Sequence, residues 1–388
     1  MRIVLFRESI ESFNYFTDML AGCFTRKGHT VFLMELLRPD AFSELSAFLS
    51  EGAPDLVIAF DRIGLHSPEF ISVWDKLGCL CINIFMDPPF RFHSLLSSPP
   101  KHLLMFCPDR KHVEYIRTWF PDAGDVCFLP HPATDPGPEA LTPFEDREFD
   151  VLFPGSFYSP EERLQNLTAS VGEEFAPIYR EIFDYMLEAP EADITDASLT
   201  VLKDRHLPEE PKFLKRFFST LEPLDWAIRM ENRRNALRAI ADAGISLSLL
   251  GRGFKALEFS SLPNVKILSE RIPFNDTFSY MERSKVVLNV MPGFKDGSHD
   301  RVFNTPLRGA LPVTDPSGFL RESFGNKETI LFYERGKEDA LPELLNTYFK
   351  DPESAQRIVA DSAAIVRDRF TWNEYTKQIL EQAERMRL

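Results

Sequence analysis

Short, almost wholly apolar runs recur along this chain: RIVLF at 2–6, TVFLM at 30–34, DLVIAF at 55–60, LCINIF at 80–85, HLLMFC at 102–107 and DVCFL at 125–129. Runs this short and this apolar read as strands buried on both faces, which constrains the sheet to be parallel. The segments between them carry helical spacing instead. Phe13, Phe16, Met19, Leu20, Cys23 and Phe24 fall on one stripe, and Gly28 ends it. Strands alternating with helices predict an α/β chain whose parallel sheet is covered on both sides.

A chain of 388 residues is long enough for two such domains. Between Ala133 and Arg147 the composition turns to Pro, Asp, Glu, Gly and Thr, with Pro132, Pro136, Pro138 and Pro143. A linker over 135–147 is expected there, dividing a first domain at 1–134 from a second at 148–370. The second half restarts with the strand DVLFP at 150–154 and then breaks its rhythm. Residues 159–224 show helix patterns and acidic or Pro-rich connections, and read as a helical insertion. The alternation resumes with a helix near 225–243 and strands at 245–250, 265–268, 285–290, 310–314 and 329–333. Helices near 337–349 and 352–368 follow, and a last helix over 371–388 could cross back to the first domain.

The formal net charge of −15 argues against nucleic acid or an anionic membrane as the main partner, since either calls for a basic surface. The five cysteines, at 23, 79, 81, 107 and 127, are odd in number and lack metal-ligand spacing, as in a reduced protein. MRIVLF is too short for a signal peptide, and no apolar run reaches the length of a membrane span. A cytoplasmic location is expected.

The richest chemistry lies in residues 289–315. An apolar strand ends at Val290, a loop carries Lys295, Asp296, Gly297, Ser298, His299, Asp300 and Arg301, and a short helix leads to a second strand at 310–314. Ligands of open α/β sheets sit beyond the carboxyl ends of strands, and helix N-termini attract phosphate. Gly297 and Ser298 could offer backbone donors, Arg301 could clamp phosphate oxygens, and His299 could donate to the phosphate or steer what it carries. Gly155 and Ser156 after one strand, and Arg252 and Gly253 after another, occupy equivalent loops. The plain alternative for KDGSHDR is a solvated turn. In the first half, the loop Arg7-Glu8-Ser9 has no glycine, so a dinucleotide fingerprint is absent. Asp87 follows a strand where a functional carboxylate belongs, although a carboxylate before two prolines also suits a turn. His131 likewise follows a strand and equally suits packing under an inter-domain crossing.

Three stretches carry a family resemblance: residues 150–156 (DVLFPGS), Leu249-Leu250-Gly251, and Arg301-Val302-Phe303-Asn304 leading to Gly309-Ala310 and Thr314-Asp315. Over most of 148–370 the chain resembles the nucleotide-binding domain of glycosyltransferases with the GT-B fold, in particular CgeB-type, spore-maturation-protein-like enzymes. Weaker likeness extends to residues 85–89 and 129–132. The resemblance implies two Rossmann-like domains facing a cleft and transfer of a sugar from a UDP- or GDP-type nucleotide sugar, without a metal or other cofactor. The acceptor could be a protein, glycan, lipid or small molecule. Asp87, with His131 behind it, is the expected acceptor base. Gly155, Ser156, Arg252, Gly253, Gly297, Ser298 and Arg301 are the expected donor contacts. Many retaining enzymes of this fold carry two glutamates separated by seven residues in this stretch. Here those positions are Asp296, expected at a sugar hydroxyl, and Asn304, expected at a ribose. A nucleotide-sugar epimerase or hydrolase, or a relative that binds a nucleotide sugar or partner without turnover, are the rival readings.

Overall fold

The structure is a computed structural model that describes residues 1–137, 141–325 and 329–387. Pro138 and residues 139–140 of the expected linker lie outside the described residues, as does Leu388 of the last helix. The chain divides into two compact units, one formed by 1–132 with 370–388 and the other by 133–369.

In the first unit the apolar runs form β1 (Arg2–Arg7), β2 (Thr30–Glu35), β3 (Leu56–Phe60), β4 (Leu80–Ile84), β5 (Leu103–Cys107) and β6 (Asp125–Phe128). They pair in the order β2-β1-β3-β4-β5-β6, every pair parallel. Every residue of β3, β4 and β5 is buried, as strands covered by helices on both faces require. The last helix, Trp372–Arg387, belongs to this unit. Its Trp372 ring lies 5.5 Å from Phe16 of the helix Glu11–Arg26.

The second unit holds β7 (Phe149–Pro154), β8 (Leu247–Leu250), β9 (Val265–Ser269), β10 (Ser284–Asn289), β11 (Leu311–Thr314) and β12 (Leu331–Phe332). Their order is β12-β11-β10-β7-β8-β9, again all parallel. The chain winds outward from β7 through β8 and β9, then returns to the other side of β7 with β10. That reversal makes a switch point between β7 and β10, where the loops diverge and leave a crevice. Alternate residues Val151, Phe153, Leu247, Leu249, Val286, Leu288, Leu311 and Val313 form one face of the core. The helix Glu222–Asp242 covers them with Met230, Ala236, Leu237 and Ile240.

Residues 159–224 hold four helices before that one: Pro160–Val171, Ala176–Glu188, Ile194–Asp204 and Pro211–Phe218. Ser159 and Asp193 cap the first and third, with side chains accepting from Glu162 and Thr195 N–H groups. The edge strand expected over 329–333 is only two residues long, and before it the Thr329 hydroxyl bonds back to Phe324 O at 2.8 Å. Among the described residues no helix is long and apolar enough to cross a membrane.

The β7 and β8 ends continue to pair beyond their strands. Gly155 N–H donates to Leu250 O and Phe157 N–H to Arg252 O, both at 2.8 Å. This contact leaves no room for a side chain. A Cβ on Gly251, at φ +133°, would fall 1.6 Å from Gly155 O. Gly251→Ala is therefore expected to lower unfolding stability by about 3 kcal/mol or more, combining backbone strain with a displaced loop. Urea denaturation measures it, and a wild-type midpoint would contradict the close approach.

Candidate functional site

The helix Asp300–Leu307 starts right after the β10 loop and brings Arg301 to the switch point. Arg301 is buried, and its Nη1 donates to Asn289 Oδ1 at 2.7 Å. Asn289 in turn donates from Nδ2 to Thr314 Oγ1 at 2.9 Å, so the ends of β10 and β11 hold the guanidinium together. Its carbon sits 5.6 Å from the centre of the Phe153 ring, at the end of β7.

Arg233 meets the same ring, 5.7 Å from its centre. It comes from the helix Glu222–Asp242, on a stripe of four-residue spacing with Asp225 and Arg229. Its Nη1 donates to Ser156 O at 2.7 Å, while the buried Nε has no hydrogen-bond partner. Burial, and then the charges of Arg301 and Arg229, push its pKa down to about 9. Burial pushes that of Arg301 down to about 10, with Asp300 opposing. A guanidinium stays protonated at neutral pH, so both groups keep their positive charge in spite of burial.

The neighbouring cations are balanced. Arg229 Nε lies 2.9 Å from Asp225, and Arg335 Nη1 donates to Asp315 at 2.9 Å. Asp315 is fully buried, accepts Met291 N–H at 2.9 Å, and has its carboxyl pulled up by burial against the opposing charge of Arg335. Arg233 and Arg301 form no ion pair with a carboxylate among the described residues. Two uncompensated guanidiniums over one aromatic ring suit a ligand carrying two negative charges.

The β10 loop is fastened on both sides of this pair. Gly293 packs against Arg229, whose Nη2 would lie 2.8 Å from an added Cβ. Ser317 Oγ donates to Gly297 O at 2.6 Å, and Gly318 N–H to Lys295 O at 3.0 Å. Ser298 is fully buried, its hydroxyl donating to His299 O at 3.2 Å. The Asp296 carboxylate rests against Gly318, where an added Cβ would meet Oδ1 at 2.7 Å. His299 Nδ1 lies 2.7 Å from Asp300 Oδ1 and 3.3 Å from the Arg301 N–H. The shorter contact favours a proton on Nδ1 and leaves Nε2 as an acceptor. Burial, then the Arg301 and Arg233 charges against Asp300, lower its pKa, so the ring is neutral at neutral pH.

Other expected donor contacts are placed differently. Gly155 uses its N–H on Leu250, and Arg252 is exposed, contributing its carbonyl to Phe157. Gly253 is needed for fit, since an added Cβ would fall 1.9 Å from Phe157 O. Asn304 is buried with its amide engaged at both ends: Nδ2 donates to Asp300 O at 3.0 Å, and Oδ1 accepts Thr134 N–H at 2.9 Å.

In the first unit, Asp87 pairs with Arg91 at 3.0 Å and remains partly exposed at the end of β4. His131 is buried, its ring stacked on Phe16 at 6.3 Å. Sequence patterns pointed to neither Arg233 nor Asp61, a buried carboxylate after β3 that accepts Met86 N–H at 2.8 Å. The 225-229-233 stripe was the available signal for Arg233, because charges at helical spacing on a core-facing stripe need a reason.

Comparison with known proteins bears on this geometry. Solved structures match the whole chain. The sucrose-phosphate synthase of Thermosynechococcus elongatus has a TM-score of 0.59 at 11% identity, covering 100% of this chain and 99% of its own. Phage T4 β-glucosyltransferase, solved with UDP-glucose, gives 0.58 at 10%, with 99% of each chain covered. Anabaena HepE, solved with UDP and glucose, gives 0.54 at 12%, again with 99% of each. The fold is that of a GT-B glycosyltransferase. The sequence model of the glycosyl transferase-like family matches residues 231–381, a span that begins beside Arg233 and includes Arg301. A comparison with curated protein sequences finds no match.

One titration follows from the loop's fastening. Lys295 Nζ donates to Pro190 O at 2.6 Å, and burial, then the charge of Arg335, pushes its pKa down to about 7. An unfolded lysine titrates near 10.4. Between pH 7 and 9 the unfolded chain therefore holds a proton that the folded one has lost, and this group makes stability rise with pH. Lys295→Met should remove a slope approaching one proton from the wild-type curve. Parallel urea midpoints at each pH check this; equal slopes in the two proteins would show that the lysine is not desolvated.

Proposed function

We propose that the protein is a glycosyltransferase that takes a sugar from a nucleoside-diphosphate sugar, with UDP preferred, and that it is of the CgeB type. The supporting observation is the pair Arg233 and Arg301 over Phe153. A nucleotide sugar carries two negative charges on its diphosphate, and their number matches the two uncompensated guanidiniums. As the bond from the anomeric carbon to the diphosphate breaks, further charge gathers on the departing oxygen, where fixed cations lower the barrier most. The pair could supply that charge without a metal. The neutral His299, with Nε2 as acceptor, suits a sugar hydroxyl better than a phosphate. Support for uridine comes from the structurally similar enzymes solved with UDP or UDP-glucose. On the acceptor side, Asp87 is partly exposed at the end of β4 and is assigned as the base that takes the acceptor's proton.

Calorimetry with UDP tests the donor half directly. Arg233→Met and Arg301→Met should each weaken UDP binding by about ten- to a hundred-fold, the worth of one charge-assisted contact. Far-UV circular dichroism should be unchanged. Wild-type affinity in both variants would overturn the assignment. Incubation with UDP-glucose and no acceptor separates the rivals: an epimerised sugar would indicate isomerase chemistry on the same fold.

A further inference from the structure

The loop after β3 adopts an unusual backbone conformation. Asp61 and Arg62 are consecutive residues other than glycine with positive φ, at 41° and 66°. Such conformations cost free energy and persist only when their surroundings overdetermine them. Here they are held from several directions. Asp61 N–H donates to Ile84 O at 3.0 Å, and Arg62 N–H to Oδ1 of the fully buried Asn83 at 2.7 Å. Arg62 Nη1 reaches Ser94 Oγ at 2.7 Å, and Trp74 Nε1 holds Gly64 O at 3.2 Å. The strained turn directs the Asp61 carboxylate across to the next strand end. Oδ1 accepts Met86 N–H at 2.8 Å, and the Asp87 N–H also bonds to the carboxylate.

We propose that Asp61 is the positioning residue for Asp87: its carboxyl group clamps the backbone from which Asp87 projects and forms with it a carboxyl pair beyond the carboxyl ends of the two central strands, β3 and β4. This role rests on the assignment of Asp87 as acceptor-side base. Burial first, and then the charge of Asp87, raise the Asp61 carboxyl well above the usual range. The groups facing the pair are Arg91 on the Asp87 side and the buried Cys107 thiol on β5, while the Arg62 guanidinium on the turn is turned to Ser94. Arg91 is bonded to Asp87, and its charge, with the two backbone N–H groups, opposes the rise at Asp61. In the transfer step the acceptor oxygen bonds to the anomeric carbon as the bond from that carbon to the diphosphate breaks. The electron pair leaves with the nucleoside diphosphate, and Asp87 receives the acceptor's proton. Asp61 touches neither substrate; it sets where Asp87 points.

Two substitutions in the full chain test this. Asp61→Ala removes both clamp bonds and should lower kcat for UDP release from UDP-glucose about a hundred-fold, the usual effect of a misplaced group, with the Kd for UDP unchanged. Asp61→Asn keeps an acceptor for the Met86 N–H and should recover part of that loss. The decisive readout is the titration of the Asp87 carboxyl carbon by NMR. It should follow two steps in the wild-type chain, its own and that of Asp61, and a single step in Asp61→Asn. A structural cap alone would leave the two curves identical, and that result would overturn the pairing, as would wild-type kcat in Asp61→Ala. Loss of UDP binding in Asp61→Ala would instead show general damage and overturn the positioning role. The donor assignment is judged separately, by the Arg233 and Arg301 variants.

Discussion

Two guanidiniums held against one phenylalanine ring at a strand switch point set the demands on the rest of the second unit. The pKa values of both groups are pushed down chiefly by burial, and that of Arg233 further by the charges of Arg301 and Arg229, which expresses the cost of placing them there. The arrangement persists because each group is fixed by neutral acceptors, Ser156 O for one and Asn289 Oδ1 for the other. Neutral acceptors satisfy N–H groups without cancelling the charge. A carboxylate in either place would have stabilised the free protein more and left less charge for a ligand. The surroundings therefore trade stability for an anion site, within a chain whose net charge is −15.

The local balance elsewhere fits this view. Arg229 and Arg335 sit in the same region, yet each faces its own aspartate. Had all four been unpaired, repulsion would have opposed folding strongly; had all four been paired, nothing would attract a dianion. The helical insertion joins in at this point, because Pro190 O receives Lys295 and Glu191 lies 3.8 Å from Arg335. Residues that read in sequence simply as a helical insertion thus help to hold the β10 loop. The hydrogen bond from Lys295 keeps a potential fifth charge engaged on the insertion.

Much of the architecture was legible in the sequence, because strands buried on both faces leave uninterrupted apolar runs such as DLVIAF and LCINIF. The insertion was visible as a loss of that rhythm. Strand order was not legible: nothing in β10 itself says that it returns to the far side of β7. For that reason 289–315 pointed to Arg301 while its partner, in a helix more than sixty residues earlier in the chain, escaped notice. Arg233 and Arg234 look alike as letters. One lies over Phe153, and the other is consumed by Glu161 and Glu231. Asp61 was hidden for a different reason. Its function depends on a backbone conformation that Asp and Arg seldom adopt, and Asn83 and Ile84 on the adjacent strand enforce it.

Asn304 shows how a departure from a family pattern can have a local physical cause. Its amide gives a donor to Asp300 O and an acceptor to Thr134 N–H, a combination that a carboxylate cannot provide. A glutamate here would also face Asp300 Oδ2, which lies 3.4 Å from the amide nitrogen, and two carboxylates so close in a buried setting would force one to hold a proton. The amide secures the chain at Thr134, where Arg308 also donates to the carbonyl at 3.3 Å. Asp296 meanwhile lies against Gly318 and His299 is neutral. On the proposed reading, the weight of recognising a charged donor falls on Arg233 and Arg301, each held by a neutral acceptor. A site built this way needs little rearrangement to bind a diphosphate, and preorganised charge is what stabilises a departing one.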